Sequence, residues 1–247
     1  MRFNLPVLVY QEKNCVHNHA DEIAQMGKNA LIVTGRNSSK KNGSLDDVIN
    51  ALKSKNIKYT VYDGVEENPS VETVMEAREI GVKAGCDFII GIGGGSPMDA
   101  AKAIGVMIYH KNENKDFLYK SVSNSQSLPV IEVPTTCGTG SEVTTVAVLT
   151  VHNEKTKKSM SHRIFPRMAL VDEKYIKNAP LKVICDTAID ALAHIVESCI
   201  NNNATEYSKM FAKEGLEAWS KFKDVLLGNR EATDEDFHNM MYASTLA

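Results

Sequence analysis

The sequence predicts a parallel α/β sheet followed by an all-helical segment. Two patterns carry the prediction. Short β-branched apolar runs alternate with helical patterns through the first part of the chain, the order that builds a parallel sheet covered by helices on both faces. After Asn178-Ala179-Pro180 the strand candidates stop and long helical patterns take over. The expected division is an α/β domain over 1–178 and a helical one over 179–247.

In chain order, Ala30 to Thr34 reads as the first buried strand by length and composition. Leu45 to Lys53 is a helix, with Ser44 as its expected N-cap. Lys58 to Tyr62 is a second strand. Val71 to Ala84 is a helix that follows Pro69-Ser70 and stops at Gly85, where a terminating glycine belongs. Phe88 to Ile92 and Val130 to Val133 are further strands, as are Ala147 to Val151 and Met168 to Val171. Beyond 180, Ile189, Leu192, Ala193, Val196, Cys199 and Ile200 recur at helical spacing, so a helix is expected over 186–200. Tyr207 to Leu227 and Phe237 to Ala247 are two more. The last pattern carries no stop signal, which leads to the expectation of a C-terminally truncated sequence, a fragment.

Composition narrows the function classes. The 247 residues carry 28 Lys and Arg against 31 Asp and Glu, a net charge of −3, so no nucleic-acid partner is expected. No uncharged apolar run is long enough to span a bilayer, and no membrane partner is expected. The opening residues lack a signal-peptide pattern. Five cysteines without a CxxC pair read as reduced thiols, which fits a cytoplasmic location.

Three loops carry chemistry. Gly93-Gly94-Gly95-Ser96-Pro97-Met98-Asp99 follows a strand directly and opens a helix, with Ser96 read as the N-cap and Pro97 as the first helical residue. Glycines let a backbone approach an anion closely, and a helix N-terminus offers free N–H groups to it. The turn is expected to hold a phosphate, although it is neither a GxGxxG fingerprint nor a P-loop. The second loop, Pro134 to Thr144, puts the hydroxyls of Thr135, Thr136, Thr139, Ser141 and Thr144 around two glycines, which suits phosphate and ribose oxygens. The third, Gly35 to Gly43, offers Ser38, Ser39, Arg36, Lys40 and Lys41 and no acid before Asp46. An NAD site commonly presents a carboxylate to the ribose, so this loop suits a 2′-phosphate instead. Separately, Asp190 and His194 stand four apart on one helix face and could hold a divalent metal together. Cys137 reads as a small packed residue.

Taken together, GGGSPMDAAKAIG at 93–105, PTTCGTGSEVT at 134–144 and DALAHIVES at 190–198 resemble the iron-containing (group III) alcohol dehydrogenases. TGRNSSKKNGSLDD at 34–47 and EENPS at 66–70 resemble the NADP-preferring members. The resemblance implies a Rossmann-like N-terminal dinucleotide domain and an all-α metal domain, here incomplete. It implies reversible hydride transfer between a primary alcohol or aldehyde and NADP, with NAD possible, assisted by Fe2+ or Zn2+. It places Gly93, Gly94, Gly95 and Ser96 on the pyrophosphate, with Asp99 ordering the turn. Thr135, Thr136, Thr139 and Thr144 line the cofactor cleft, and Asn68 lies near the adenosine. Gly35, Ser38, Ser39 and Lys40 face the 2′-phosphate, and Lys158 approaches the cofactor. Asp190 and His194 match two metal ligands and act catalytically through the metal. Two further metal histidines of the family would lie beyond 247, so weak metal binding and little turnover are expected of residues 1–247. A homodimer is the expected assembly. The alternatives are a catalytically silent nucleotide-binding remnant and a glycerol-dehydrogenase-like enzyme. The serine in GGGS speaks against the latter, whose turns are of the GGGK type.

Overall fold

The computed structural model describes residues 3–247. In chain order the elements are β1 (Leu8–Gln11), α1 (Cys15–Asn18), α2 (Ala20–Ala24), β2 (Asn29–Gly35), α3 (Ser38–Lys41), α4 (Ser44–Ser54), β3 (Lys58–Val65), α5 (Val71–Ala84), β4 (Phe88–Gly93), α6 (Gly95–Tyr109), β5 (Val130–Pro134), β6 (Val148–Val151), β7 (Thr156–Ser159), β8 (Met168–Val171), α7 (Leu181–Ile200), α8 (Glu206–Leu226) and α9 (Asp234–Leu246). Six strands form one sheet in the order β1-β8-β5-β4-β2-β3, all neighbours parallel. From β2 the chain moves outward to β3, and from β4 it moves the other way to β5. The strand order therefore reverses between β2 and β4, which is where open sheets of this kind bind ligands at the strand carboxyl ends.

The central strands β2, β4 and β5 are buried on both faces, which explains their continuous apolar runs. Leu31, Val33 and Ile89 pack against α5 and α6 on one face. Ala30, Ile32, Phe88, Ile90 and Ile92 pack against α1, α2 and α4 on the other. The helices α7 to α9 share a third cluster with Val7, Cys137, Ala169 and Val171, so they rest on the β8 end of the sheet. Among the described residues no helix is long and apolar enough to cross a membrane.

Several local expectations hold. Ser70 caps α5, accepting from the Thr73 N–H at 3.1 Å, and Gly85 ends it at φ 69°. Others are corrected. Gly43, not Ser44, precedes α4, because its φ of 84° suits a residue without a side chain; the Ser44 hydroxyl instead bonds Asn42. Gly94, not Ser96, caps α6, which starts at Gly95 and leaves Pro97 in its first turn. The strand read at 147–151 stands outside the main sheet, pairing antiparallel with β7 as a separate hairpin. β7, with its two lysines, and the edge strand β1 lack a buried apolar pattern, so neither shows in the sequence. α7 begins at Leu181, directly after Pro180, five residues before the expected start. α9 begins on a capping box in which Thr233 accepts from the Asp236 N–H while Asp236 accepts from the Thr233 N–H. Arg230 grips the same carboxylate with two bonds of 2.6 and 2.7 Å.

One core residue is out of character. Glu132 lies in the middle of β5, fully buried, and neither carboxyl oxygen has a hydrogen-bond partner among the described residues. It rests against Gly91 of β4, where a Cβ would collide with it. Desolvation pushes its pKa well above the ordinary value of 4.5, against a smaller opposing pull from Lys102. A carboxyl raised in the folded state contributes its full stability below about pH 4.5 and loses it as pH rises toward the folded value. Glu132→Gln is therefore expected to match the wild-type thermal midpoint at pH 4.5 and to exceed it increasingly toward pH 8. The slope limit is about 1.4 kcal/mol per pH unit. Parallel melting curves across that range would contradict the assignment.

Candidate functional site

The carboxyl ends of β2, β4 and β5 bring the three loops together. The glycine turn leaves β4 through Gly93 at φ 149°, a conformation that favours glycine. A Cβ on Gly94 would stand 3.1 Å from Thr136 Oγ1, and one on Gly95 would stand 2.9 Å from Thr139 Cγ2. The second loop thus lies directly over the turn. The Thr135 N–H donates to the Gly93 carbonyl at 2.8 Å, extending the β4–β5 pairing past the strand ends. Gly94 and Gly95 are only partly buried at the start of α6, and the N–H groups of a first turn have no partner within their own helix. Thr135 is buried, Thr136 half-buried and Thr139 exposed.

The Ser96 hydroxyl accepts from the Asn68 N–H at 3.0 Å, so the 66–70 segment is tied to the glycine turn. Asn68 adopts φ 58°, and its side-chain oxygen accepts from Lys157 Nζ at 2.8 Å. Of the two lysines of β7, Lys157 rather than the expected Lys158 is tied to this segment. Side chains alternate along β7. Lys157, paired in register with Thr150, reaches Asn68. Lys158 points the other way, to an ion pair with Glu154 and over the Tyr119 ring.

The loop after β2 is also rearranged. Ser39, expected to face the 2′-phosphate, is fully buried, and its hydroxyl accepts from Thr34 at 2.7 Å. Ser38, Arg36 and Lys40 are exposed beside Gly35. Lys40 pairs with Asp63 at the end of β3. The hydrogen bond from Lys40, with Arg36 adding to it, lowers the Asp63 pKa. The carboxylate missing from the loop sequence thus arrives from a neighbouring strand, already neutralised by a lysine.

Asp99 does not order the glycine turn directly. Its Oδ1 accepts from the Ser141 hydroxyl at 2.6 Å and its Oδ2 from the Val148 N–H at 2.8 Å, joining α6 to the second loop and to β6. One helical turn later Lys102, fully buried, donates to Val146 O at 2.6 Å, Ser141 Oγ at 2.7 Å and Ser141 O at 2.9 Å. Lys102 was not legible as a site residue, since a lysine in a helix normally reads as solvated surface. Its only sequence signal is its place between Ala101 and Ala103 in an otherwise uncharged stretch.

Asp190 and His194 lie on α7 at the far end of the second loop, each about half exposed. His194 Nε2 is 3.9 Å from Asp190 Oδ1, and Nδ1 is 3.2 Å from the Gly138 carbonyl. A Cβ on Gly138 would stand 2.8 Å from Thr187 O and 3.0 Å from Asp190 Oδ2, so the loop passes right under the helix. The nearby Cys137 is a packed residue as expected; burial raises its thiol to about 11. Asp190 and His194 have the chemistry of two metal donors, and a histidine held at Nδ1 by a carbonyl presents Nε2 for ligation. They make half of a four-donor sphere. Among the described residues no group of three or more His, Cys, Asp or Glu could hold a metal ion. Between His194, Thr139, Thr144, Val146 and Thr245 opens a cavity of about 550 Å³.

A carbonyl only accepts, so the neutral His194 ring must carry its proton on Nδ1. Nitrogen-15 NMR of the metal-free protein is expected to show that tautomer. A ring protonated mainly on Nε2 would break the link to Gly138.

Comparison with known proteins identifies the family. The profile of iron-containing alcohol dehydrogenases matches residues 6–173. A long-chain primary alcohol dehydrogenase of Thermoanaerobacter ethanolicus is 33% identical over 221 residues, 89% of this chain and 55% of that protein. An NADPH-dependent butanol dehydrogenase of Clostridium saccharobutylicum is 32% identical over 254 residues, all of this chain and 63% of that protein. Two NADH-dependent butanol dehydrogenases of Clostridium acetobutylicum match at 28% and 29%. A crystal structure of an iron-containing alcohol dehydrogenase from Thermotoga maritima superposes with a TM-score of 0.92 at 38% identity, covering 99% of this chain and 67% of that one. The chain thus spans a little over half the length of the curated relatives it matches. With the profile matched over residues 6–173 and relatives of 32–38% identity along nearly the whole chain, the chain belongs to the iron-containing alcohol dehydrogenase family.

Proposed function

We propose that this chain supplies the cofactor site and two metal donors of an oxidoreductase. The reaction is reversible hydride transfer between a primary alcohol or aldehyde and a nicotinamide cofactor, with NADP preferred over NAD. What supports it is the threonine loop, which lies against Gly94 and Gly95 through Thr136 and Thr139 and under Asp190 and His194 through Gly138. In this reading the pyrophosphate lies against the N–H groups of Gly94, Gly95 and Ser96, with Lys157 close by. The adenosine ribose lies toward Gly35, Ser38 and Lys40, near Asn68. The nicotinamide passes Thr136 and Thr139 into the cavity beside His194.

Asp190 and His194 would take part in holding Fe2+ or Zn2+, with further donors required from outside the described residues. When bound, such a metal polarises the alcohol oxygen as a Lewis acid. The chain's own residues bind and orient the dinucleotide and place its reactive ring beside the His194 imidazole. Residues 1–178 act as the cofactor domain and 179–247 as the metal-bearing helical one, and the reading includes a homodimer in the cytoplasm. Five free cysteines suit a reducing compartment. The NADP preference draws on the cations around Gly35, on Asp63 being paired, and on the NADPH-dependent relative.

Fluorescence titration is expected to show tighter binding of NADPH than of NADH. Lys40→Ala should weaken NADPH about tenfold, the loss of one charge-assisted contact of about 1.4 kcal/mol, and leave NADH nearly unchanged. Tighter binding of NADH by the wild type would overturn the preference, and binding of neither would overturn the cofactor site itself.

A further inference from the structure

Lys102 has an arrangement that packing alone does not require. An ammonium has three donors and is costly to bury unless each is used. Here all of them go to one short stretch of chain: Ser141 O and Oγ, Val146 O, and Thr144 O at 3.3 Å. That stretch contains only a single 3-10 turn, Ser141–Val143, so it has little structure of its own to hold its course. Asp99, one turn earlier on the same face of α6, takes the Ser141 hydroxyl and the Val148 N–H and stands 3.5 Å from Lys102 Nζ. The two residues therefore fasten the 141–148 segment to the helix that begins at the glycine turn.

Thr144 and Val146 of that segment, with Thr139 just before it, line the cavity beside His194. The rest of the cleft is fixed by other means. Thr135 is held by the Gly93 carbonyl, and the loop after β2 is held by the Thr34–Ser39 hydroxyl bond. We propose that Lys102 is a positioning residue that sets the wall against which the nicotinamide half of the dinucleotide lies, while the adenosine half is seated independently of it. This rests on the cofactor reading given above.

The test separates the two halves of the ligand. Titrations with NADPH and with adenosine 2′,5′-bisphosphate, which lacks the nicotinamide, compare the wild type with Lys102→Met and Ser141→Ala. Lys102→Met is expected to raise the Kd for NADPH at least tenfold and to change that for the bisphosphate less than twofold. Ser141→Ala removes one acceptor of Lys102 and the hydroxyl bond to Asp99 while leaving Lys102 paired with main-chain carbonyls, and it is expected to give the same selective loss at two- to fivefold. It carries the test if Lys102→Met does not fold. Equal losses for both ligands would reduce Lys102 to a general structural role, and unchanged NADPH affinity in both variants would overturn the proposal. A wild type that binds neither ligand would instead refute the cofactor reading beneath it.

Discussion

The site depends on the close approach of two backbones at the ends of β4 and β5. Thr136 and Thr139 lie where side chains on Gly94 and Gly95 would otherwise stand. The Thr135–Gly93 hydrogen bond continues the strand pairing into that contact. Without it the glycine turn would be an ordinary strand-to-helix corner. With it, the turn and the threonine loop lie against each other at the carboxyl ends of the strands, where the strand order reverses. The threonine loop then passes beneath α7, where the Gly138 carbonyl sets the His194 ring. A single stretch of chain thus connects the start of α6 to Asp190 and His194.

The charges beneath the cleft follow a consistent pattern. Lys102 is the buried cation, with Asp99, Glu132 and Glu142 around it. Burial raises the pKa of Glu132 and of Glu142, the second of which accepts a bond from Thr245 of α9. Carboxyls held toward their neutral form place less negative charge beneath the proposed phosphate site. Exposed cations stand nearby: Arg36, Lys157 and, paired with Asp63, Lys40. The same Thr245–Glu142 bond joins the last helix to the loop, so the helical part braces the cleft from the side opposite α6.

Much of the fold was legible because burial leaves strong marks in a sequence. The central strands are uninterrupted apolar runs, and α5 has both a serine cap and a terminal glycine. The edge strand β1 and the lysine-bearing β7 leave no such mark, since neither has two buried faces. Capping misled at Ser44 and Ser96, where a glycine one or two positions earlier takes the cap and frees the hydroxyl for another bond. In the site, loop identities were readable but side-chain directions were not. Ser39 turns inward to Thr34, Lys157 rather than Lys158 reaches Asn68, and Asp63 comes from a strand distant in sequence. Each is a tertiary relation that no local spacing encodes. Lys102 was missed for the opposite reason, because a lysine in a helix carries a strong expectation of exposure.

Under the proposed function a whole dinucleotide lies from the loop after β2, across the glycine turn, to His194. A crystal structure of this chain with NADPH tests it most directly. The expected result has the pyrophosphate against Gly94, Gly95 and Ser96, the 2′-phosphate beside Lys40, and the nicotinamide in the cavity formed by Thr139, Thr144 and His194. A cofactor bound at the amino ends of the strands, or lying with its nicotinamide away from His194, would contradict it.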